Sequence, residues 1–319
     1  MLKLRSALIE ITSKCNLGSC VHCSSESRPD GEAMSPLLLR TILNMYIESG
    51  VQTIEVSGGE PLTALEHVLL ILEHAREHNI KVKLFTNGIL LQLNETLYSL
   101  RPYRDILEIH VALHGPNALL HEMVTNCDGS FHQALAGAVA AVGHGFDVRI
   151  NTVLHKYICN ERSLESLVEL CDKIGAEQIS FLRLVPHGRA KLSFDWLSPK
   201  LVDYMTFYKW VAEVDPPITI RVGCPLAHPK LVPKSPKVKI DRHCSSATSH
   251  LTWLPDATVL PCVAFKGLKH RFALGRAIFL DMAKLQEFLE LKHKIKAGGA
   301  LCVAQALYLG RDPLCILEL

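Results

Sequence analysis

An α/β fold built on a parallel sheet is what this sequence predicts. Three observations predict it: six short β-type runs, an amphipathic helical pattern between successive runs, and a spacing of about thirty residues for each strand-helix unit. The runs are LIEIT (8–12), TIEVS (53–57), KVKLFT (81–86), LEIHVALH (107–114), DVRINTVL (147–154) and QISFLRLV (178–185). Right-handed crossovers between parallel strands make either an open doubly wound sheet or a partly closed barrel, and pattern alone leaves both open. In either case the loops leaving the C-terminal strand ends converge on one face, where such folds place their chemistry.

The helices have readable ends. Ser35 and Pro36 suit an N-cap and first helical position, and Gly50 suits the residue past the C-terminus. Leu65, Val68, Leu69 and Leu72 form one apolar stripe and Leu164, Leu167, Val168, Cys171 and Ile174 another, so Cys171 is read as a core thiol. Ser198 and Pro199 are expected to open a further helix running to about Val214. Pro216, Pro217, Pro225, Pro229, Pro233 and Pro236 then break the rhythm, HLTWLPDATVLPC reads as a hairpin turning at Pro255 and Asp256, and a helix follows over 280–296. This divides the chain into a core domain at 1–190, a helical linker at 191–223 and a small α+β domain at 224–319.

Composition narrows the function. A chain of 319 residues that is 48% hydrophobic has the material for one large domain, or a large one with a small one. Thirty-four Lys and Arg against thirty-two Asp and Glu leave a net charge of +2, with no basic run built to follow a phosphate backbone, so nucleic acid is not an expected partner. Lys3, Arg5 and Glu10 interrupt the first residues and no run reaches about eighteen apolar residues, which argues against a secretory signal and a membrane span. The cytoplasm is the expected compartment, and eleven cysteines there serve metals or redox chemistry more often than disulfides.

KCNLGSCVHC places Cys15, Cys20 and Cys23 on one loop after the first strand. Three thiolates can hold three corners of a four-iron cluster and leave one iron open to a substrate. The zinc reading is weaker, because paired C-x2-C units with a fourth ligand at set spacing are absent. His22, between two of the thiols, is read as packing against the cluster or facing solvent rather than as a ligand.

This cysteine loop resembles the cluster motif of the radical S-adenosylmethionine (SAM) superfamily, and SGGEP at Ser57–Pro61, closing the second strand, resembles its glycine-rich SAM-binding motif. The resemblance covers roughly residues 6–190 and takes in TNG at Thr86–Gly88 and the strand ends near His114 and Asn151. It implies a partial (β/α)6 TIM-type barrel, a 4Fe-4S cluster and SAM chelated to the open iron. It also implies that the backbone of Ser57, Gly58 and Gly59 lies near the SAM amine, that Glu60 supports the loop, and that Asn151 meets the ribose. Thr86, Asn87, His114 and Arg183 occupy other strand-end positions and are further cofactor-binding candidates. The usual spacing is C-x3-C-x2-C; here it is C-x4-C-x2-C, and Gly18 is placed to absorb the extra residue at positive φ.

CSSATSHLTWLPDATVLPC, with Cys244 and Cys262 flanking the predicted hairpin, resembles the start of SPASM and twitch auxiliary-cluster domains, with Ala257 standing where those carry a glycine. That implies one auxiliary 4Fe-4S cluster, held by Cys244, Cys262, Cys302 and Cys315, with Cys224 as an alternative ligand, a buried thiol or a catalytic group. Cys127 and Cys159, following strands four and five, are candidate hydrogen-atom donors. The implied reaction is reductive cleavage of SAM to a 5'-deoxyadenosyl radical that abstracts a substrate hydrogen, fed by a donor such as flavodoxin or ferredoxin. SPASM and twitch domains often accompany enzymes that crosslink, epimerise or oxidise ribosomally made peptides, so peptide modification is the leading expectation. Dehydrogenation of a small alcohol or sugar is the second, and a non-catalytic iron-sulfur carrier or scaffold is the reading from another class, which the intact SGGEP opposes.

Overall fold

The computed structural model describes residues 4–223 and 226–316, with side chains through Leu314. Its strands are β1 Ser6–Glu10, β2 Thr53–Ser57, β3 Lys81–Thr86, β4 Leu107–Ala112, β5 Asp147–Leu154, β6 Gln178–Arg183, β7 Thr219–Val222, β8 Val238–Ile240, β9 His250–Trp253, β10 Thr258–Leu260, β11 Gly275–Arg276 and β12 Phe279–Leu280. They form one sheet in the order β12-β11-β10-β9-β1-β2-β3-β4-β5-β6-β7-β8. From β1 to β8 every pairing is parallel, so these strands end on the same side.

β2, β3 and β5 coincide with the predicted runs, while β1, β4 and β6 each end two residues earlier than the sequence suggests. At β1 the reason is local: Thr12 bridges to Ala33 and Met34 N–H donates to Ile11 O, so the cysteine loop takes over the pairing. β7 and β8 were not legible, because Pro216, Pro217 and Pro236 stand immediately before short strands. The hairpin β9-β10 does form, and β9 lies parallel on the free edge of β1, with Ser6 opposite His250 and Ile9 opposite Trp253. The C-terminal strands therefore continue the sheet that the first strands lay down.

The helices are α1 Pro36–Glu48, α2 Leu65–Glu77, α3 Asn94–Leu100, α4 Ala118–Thr125, α5 Ser130–Gly143, α6 Glu161–Ile174, α7 Ala190–Leu197, α8 Leu201–Glu213, α9 Lys269–Phe272, α10 Met282–Ala297 and α11 Val303–Leu309. Ser35 Oγ accepts from Leu38 N–H and caps α1, whose chain leaves through Gly50 at φ +72°. The helix expected from Ser198 begins instead at Leu201. Ser198 N–H closes α7 on Phe194 O, and Asp203 accepts from Lys200 N–H at 2.8 Å.

Strand alternation sets the two faces of the sheet. Ile9, Ile54, Val56, Val82, Leu84, Ile109, Val111, Val148, Ile150 and Ile179 are fully buried with Leu39, Leu43, Ile71, Leu72, Leu164 and Leu167 of the helices. The opposite face carries Glu55, Lys83 and Glu108 in register, then Phe85, His110 and Arg149. Arg149 bonds Asp147 at 2.9 Å and Glu108 at 3.3 Å there. A closed TIM barrel fills that space with branched apolar side chains; this sheet leaves it polar.

Candidate cofactor site at the strand ends

The loops after β1 and β2 form a single unit. Gly59 N–H donates to Thr12 O and Glu60 N–H to Lys14 O, each at 2.7 Å. Both glycines are required by this approach. A Cβ on Gly58 would lie 2.5 Å from Thr12 O, in a residue already at φ +152°, and one on Gly59 would lie 2.1 Å from Lys14 O. SGGEP is thereby pressed against the stem of the cysteine loop.

Glu60 joins a third strand end to them. Its side chain is buried, with Oε1 accepting from Leu62 N–H at 3.0 Å and from Thr86 Oγ at 2.7 Å, and Oε2 accepting from Asn87 N–H at 2.7 Å. Burial pushes the carboxyl up to about 7, against those three donors, which favour the anion. Asn87 Nδ2 then donates to Asn16 Oδ1 at 2.7 Å, beside Cys15. Thr86 and Asn87 thus spend these polar atoms on holding the loops together.

Cys15, Cys20 and Cys23 lie close enough to interact: Cys15 and Cys23 both make Cys20 harder to ionise, and Cys23 does the same to Cys15. Burial is the main cause, and it pushes Cys20 up to about 12. Arg189, which the sequence reading missed, answers that charge. Its Nε donates to Cys20 O at 2.9 Å, its Nη1 to Ser27 O at 3.0 Å and its backbone N–H to Cys23 O. Gly18 has φ +62° and a Cβ there would lie 2.8 Å from Pro29 Cδ, so the extra residue is taken up in a turn that only glycine fits. The thiols do not make a single-ion set; among the described residues the one tight group of that kind is His74, Glu77 and His78, on the outside of α2.

Four histidines line the neighbouring strand ends. His22 stacks edge-on against His114 at 4.5 Å, and His114 lies parallel to His121 at 5.6 Å. His155 Nε2 donates to His114 O at 2.7 Å, and His114 Nδ1 accepts from Val153 N–H at 3.3 Å. Burial lowers His22, His121 and His155 to about 4 and His114 further, so the nest is uncharged at neutral pH. Asn151 is almost buried, with Oδ1 at 3.5 Å from His110 Nδ1. Cys159 forms part of the nest wall, its Sγ donating to His155 O at 3.4 Å and its pKa raised by burial; Cys127 is half-buried with Sγ 3.9 Å from Asp128 O. Cys171 is fully buried in the core.

The C-terminal thiols assemble separately. Cys244, Cys262 and Cys302 act on one another electrostatically, and burial pushes Cys262 up to about 12. Cys224 and the Cys315 side chain lie outside the described residues. Arg183, expected at the cofactor, pairs with Asp312 at 2.9 Å, the two side chains 2% and 0% exposed, and Asp312 also accepts from Cys302 N–H at 2.8 Å. Lys266 ties this region to the mouth, reaching the Glu10 carboxylate and Ser25 Oγ, with Ser24 Oγ at 3.3 Å. Neither Asp312 nor Lys266 carried a local sequence signal.

A three-thiol loop locked to a glycine cradle at adjacent parallel strand ends defines the class of an open iron-sulfur site with a small-molecule cradle beside it. The chain belongs to the radical SAM superfamily, whose profile matches residues 9–179. It is 28% identical over 204 residues to the mycofactocin maturase MftC of Mycobacterium ulcerans, covering 63% of this chain and 53% of that one. It is 27% identical over 186 residues to AlbA, the antilisterial bacteriocin subtilosin biosynthesis protein of Bacillus subtilis, at 58% and 40% coverage. A probable GTP 3',8-cyclase of Methanococcus maripaludis is 30% identical over 190 residues, at 58% and 61%. The chain spans about half the length of the curated relatives it matches. Among solved structures, Streptococcus suis SuiB bound to S-adenosylmethionine superposes with TM-score 0.66 at 20% identity, over 89% of this chain and 65% of that one. anSMEcpe with bound AdoMet and Cp18Cys peptide gives 0.63 at 17% identity, over 88% and 80%. These likenesses establish the partial TIM-type barrel. The superfamily's cofactors are a 4Fe-4S cluster and SAM, and the residues here fit them: three grouped unpaired thiols and a cradle with no room for a Cβ.

Proposed function

We propose that this protein is a radical SAM enzyme that modifies a ribosomally made peptide, with an auxiliary 4Fe-4S cluster in its C-terminal region. The observation that carries the reading is the pair of 2.7 Å bonds from Gly59 and Glu60 to Thr12 and Lys14, which make the cysteine loop and the glycine loop one device. When bound, the cluster would supply the electron for reductive cleavage of SAM, the chemistry that lets a hydrogen be taken from the substrate.

The chain's own residues do the rest. Cys15, Cys20 and Cys23 would hold the cluster, and Arg189 offsets the charge gathered on their loop. The backbone of Ser57 to Gly59 would meet the SAM amine, Glu60 fixes that backbone, and Asn151 would bind the ribose. The neutral histidine nest closes the mouth on the side of β4 and β5 without adding charge. Cys244, Cys262 and Cys302, with Cys315 or Cys224, hold the auxiliary cluster. Residues 1–190 form the catalytic core, 191–223 the linker and 224–319 the auxiliary-cluster domain, which shares the core's sheet. Of the two thiols considered as hydrogen donors, Cys127 is the more accessible and so the better placed.

A peptide substrate is supported by the maturase relatives and by a likeness to SuiB bound to its precursor peptide SuiA. Among the described residues no helix is long and apolar enough to cross a membrane. A cytoplasmic setting with a flavodoxin or ferredoxin donor completes the reading. The test is anaerobic cluster reconstitution, then SAM and a strong reductant with candidate precursor peptides. Formation of 5'-deoxyadenosine with a change in peptide mass or residue chirality is expected. Absence of 5'-deoxyadenosine under every condition rejects the enzyme reading.

A further inference from the structure

We propose that the C-terminal turn of α2 binds a divalent ion of the zinc class through His74, Glu77 and His78, a site separate from both groups of thiols. The segment HAREH sets a histidine, a glutamate and a second histidine at i, i+3 and i+4, which brings all three onto one face of the helix end. One ligand atom from each lies within 4.8 Å of the others, and the two imidazole centroids are 5.2 Å apart with planes at 60°.

His74 is half-buried beside α1, and its Nε2 is shielded from solvent without a hydrogen-bond partner. Two imidazoles and one carboxylate select a borderline divalent ion such as Zn2+ over Mg2+ or Ca2+, which take all-oxygen sets.

The position suits a cation, since the carbonyl end of a helix carries partial negative charge. Arg40 on α1 is the opposing charge, and it weakens the site without blocking the exposed Glu77 and His78. α2 begins just after the SGGEP loop, so the helix from Leu65 to Glu73, about 14 Å long, separates this turn from the cofactor mouth. An ion here staples α2 at the end remote from that loop and takes no part in the radical chemistry.

The experiment is anaerobic calorimetric titration of ZnCl2 into the holoenzyme with its clusters loaded. Wild type is compared with Glu77→Gln and His78→Gln, both exposed and so no threat to folding, and with His132→Gln, an exposed histidine elsewhere. Expected is one equivalent of Zn2+ in wild type and His132→Gln, with affinity lowered about tenfold or more in each of the other two. Iron content and 5'-deoxyadenosine formation should be unchanged in all four, so the outcome does not depend on the proposed function. The site is overturned if wild type takes up no Zn2+ below about 1 mM, or if Glu77→Gln or His78→Gln binds as wild type does.

Discussion

Acid should loosen this protein through its buried histidines, and His155 allows the size to be worked out. Its ring is fully buried, Nε2 is committed to His114 O, and Nδ1 has no partner to receive a proton's charge. Burial lowers it to about 4, while an unfolded imidazole titrates near 6.5. Between those values the unfolded chain holds more protons than the folded one, so stability is complete above about pH 6.5 and falls as the pH drops toward 4. At pH 5 the unfolded ring is almost wholly protonated and the folded ring about one-tenth so, a difference of about 2 kcal/mol for this one group. A chain of 319 residues has an unfolding entropy of about 0.7 kcal/mol/K at its midpoint, so 2 kcal/mol is about 3 °C in Tm. His22 and His121 act in the same direction, though their contributions do not simply add because the rings face one another. Melting at pH 7, 6 and 5 followed by circular dichroism, for wild type and His155→Gln, isolates the effect. The variant can still donate to His114 O and does not titrate, so its midpoint should fall about 3 °C less between pH 7 and pH 5. Equal slopes for the two proteins would refute the reasoning.

Other changes probe the remaining contacts. Glu60→Gln must turn an amide NH2 toward a donor that the carboxylate now accepts, Asn87 N–H in one orientation and Leu62 N–H with Thr86 Oγ in the other; a loss of about 1–3 kcal/mol in urea unfolding and weaker SAM binding by the reconstituted protein are expected. Ala257 has φ +67°, a left-handed backbone conformation that favours glycine, so Ala257→Gly should raise stability by about 1 kcal/mol, read as a higher melting midpoint. Asp312→Asn removes the carboxylate charge that pairs with the buried Arg183 and should cost about 3–5 kcal/mol in urea unfolding, with part of that recovered when Arg183→Met is added.

The parts of the fold legible in the sequence are those whose cause is local. TIEVS, KVKLFT and DVRINTVL alternate cleanly because one face meets helices and the other a polar interior, so their limits can be read directly. Ser35 and Gly50 mark α1 because a cap is satisfied within three or four residues. β7 and β8 are hidden by the prolines that precede them. The cysteine and glycine loops are legible as chemistry, but their mutual bonding is not, since Thr12 and Gly59 meet only after a crossover. The same holds for Arg189 on the cysteine loop, for His155 against His114, and for Arg183, whose place at a strand end is readable while its partner Asp312 is not. In each case the decisive neighbour is supplied by a distant stretch of chain, and nothing in the local pattern announces it.

The placement of β9 on the free edge of β1 has a bearing on biosynthesis. The contacts it makes are among the most remote in the chain, as in the Ser6–His250 bond spanning 244 positions. At about 5–20 residues per second, β1 waits roughly 12–50 s on the ribosome for the segment that covers that edge. During that interval the nascent chain can hold β1 to β8 together while a flank of Ala7, Leu8 and Ile9 stays open to any other strand. A translation pause or a stop before residue 250 would therefore release a sheet lacking its β9 edge, so that solubility of the early intermediate depends on how promptly the codons for β9 are read.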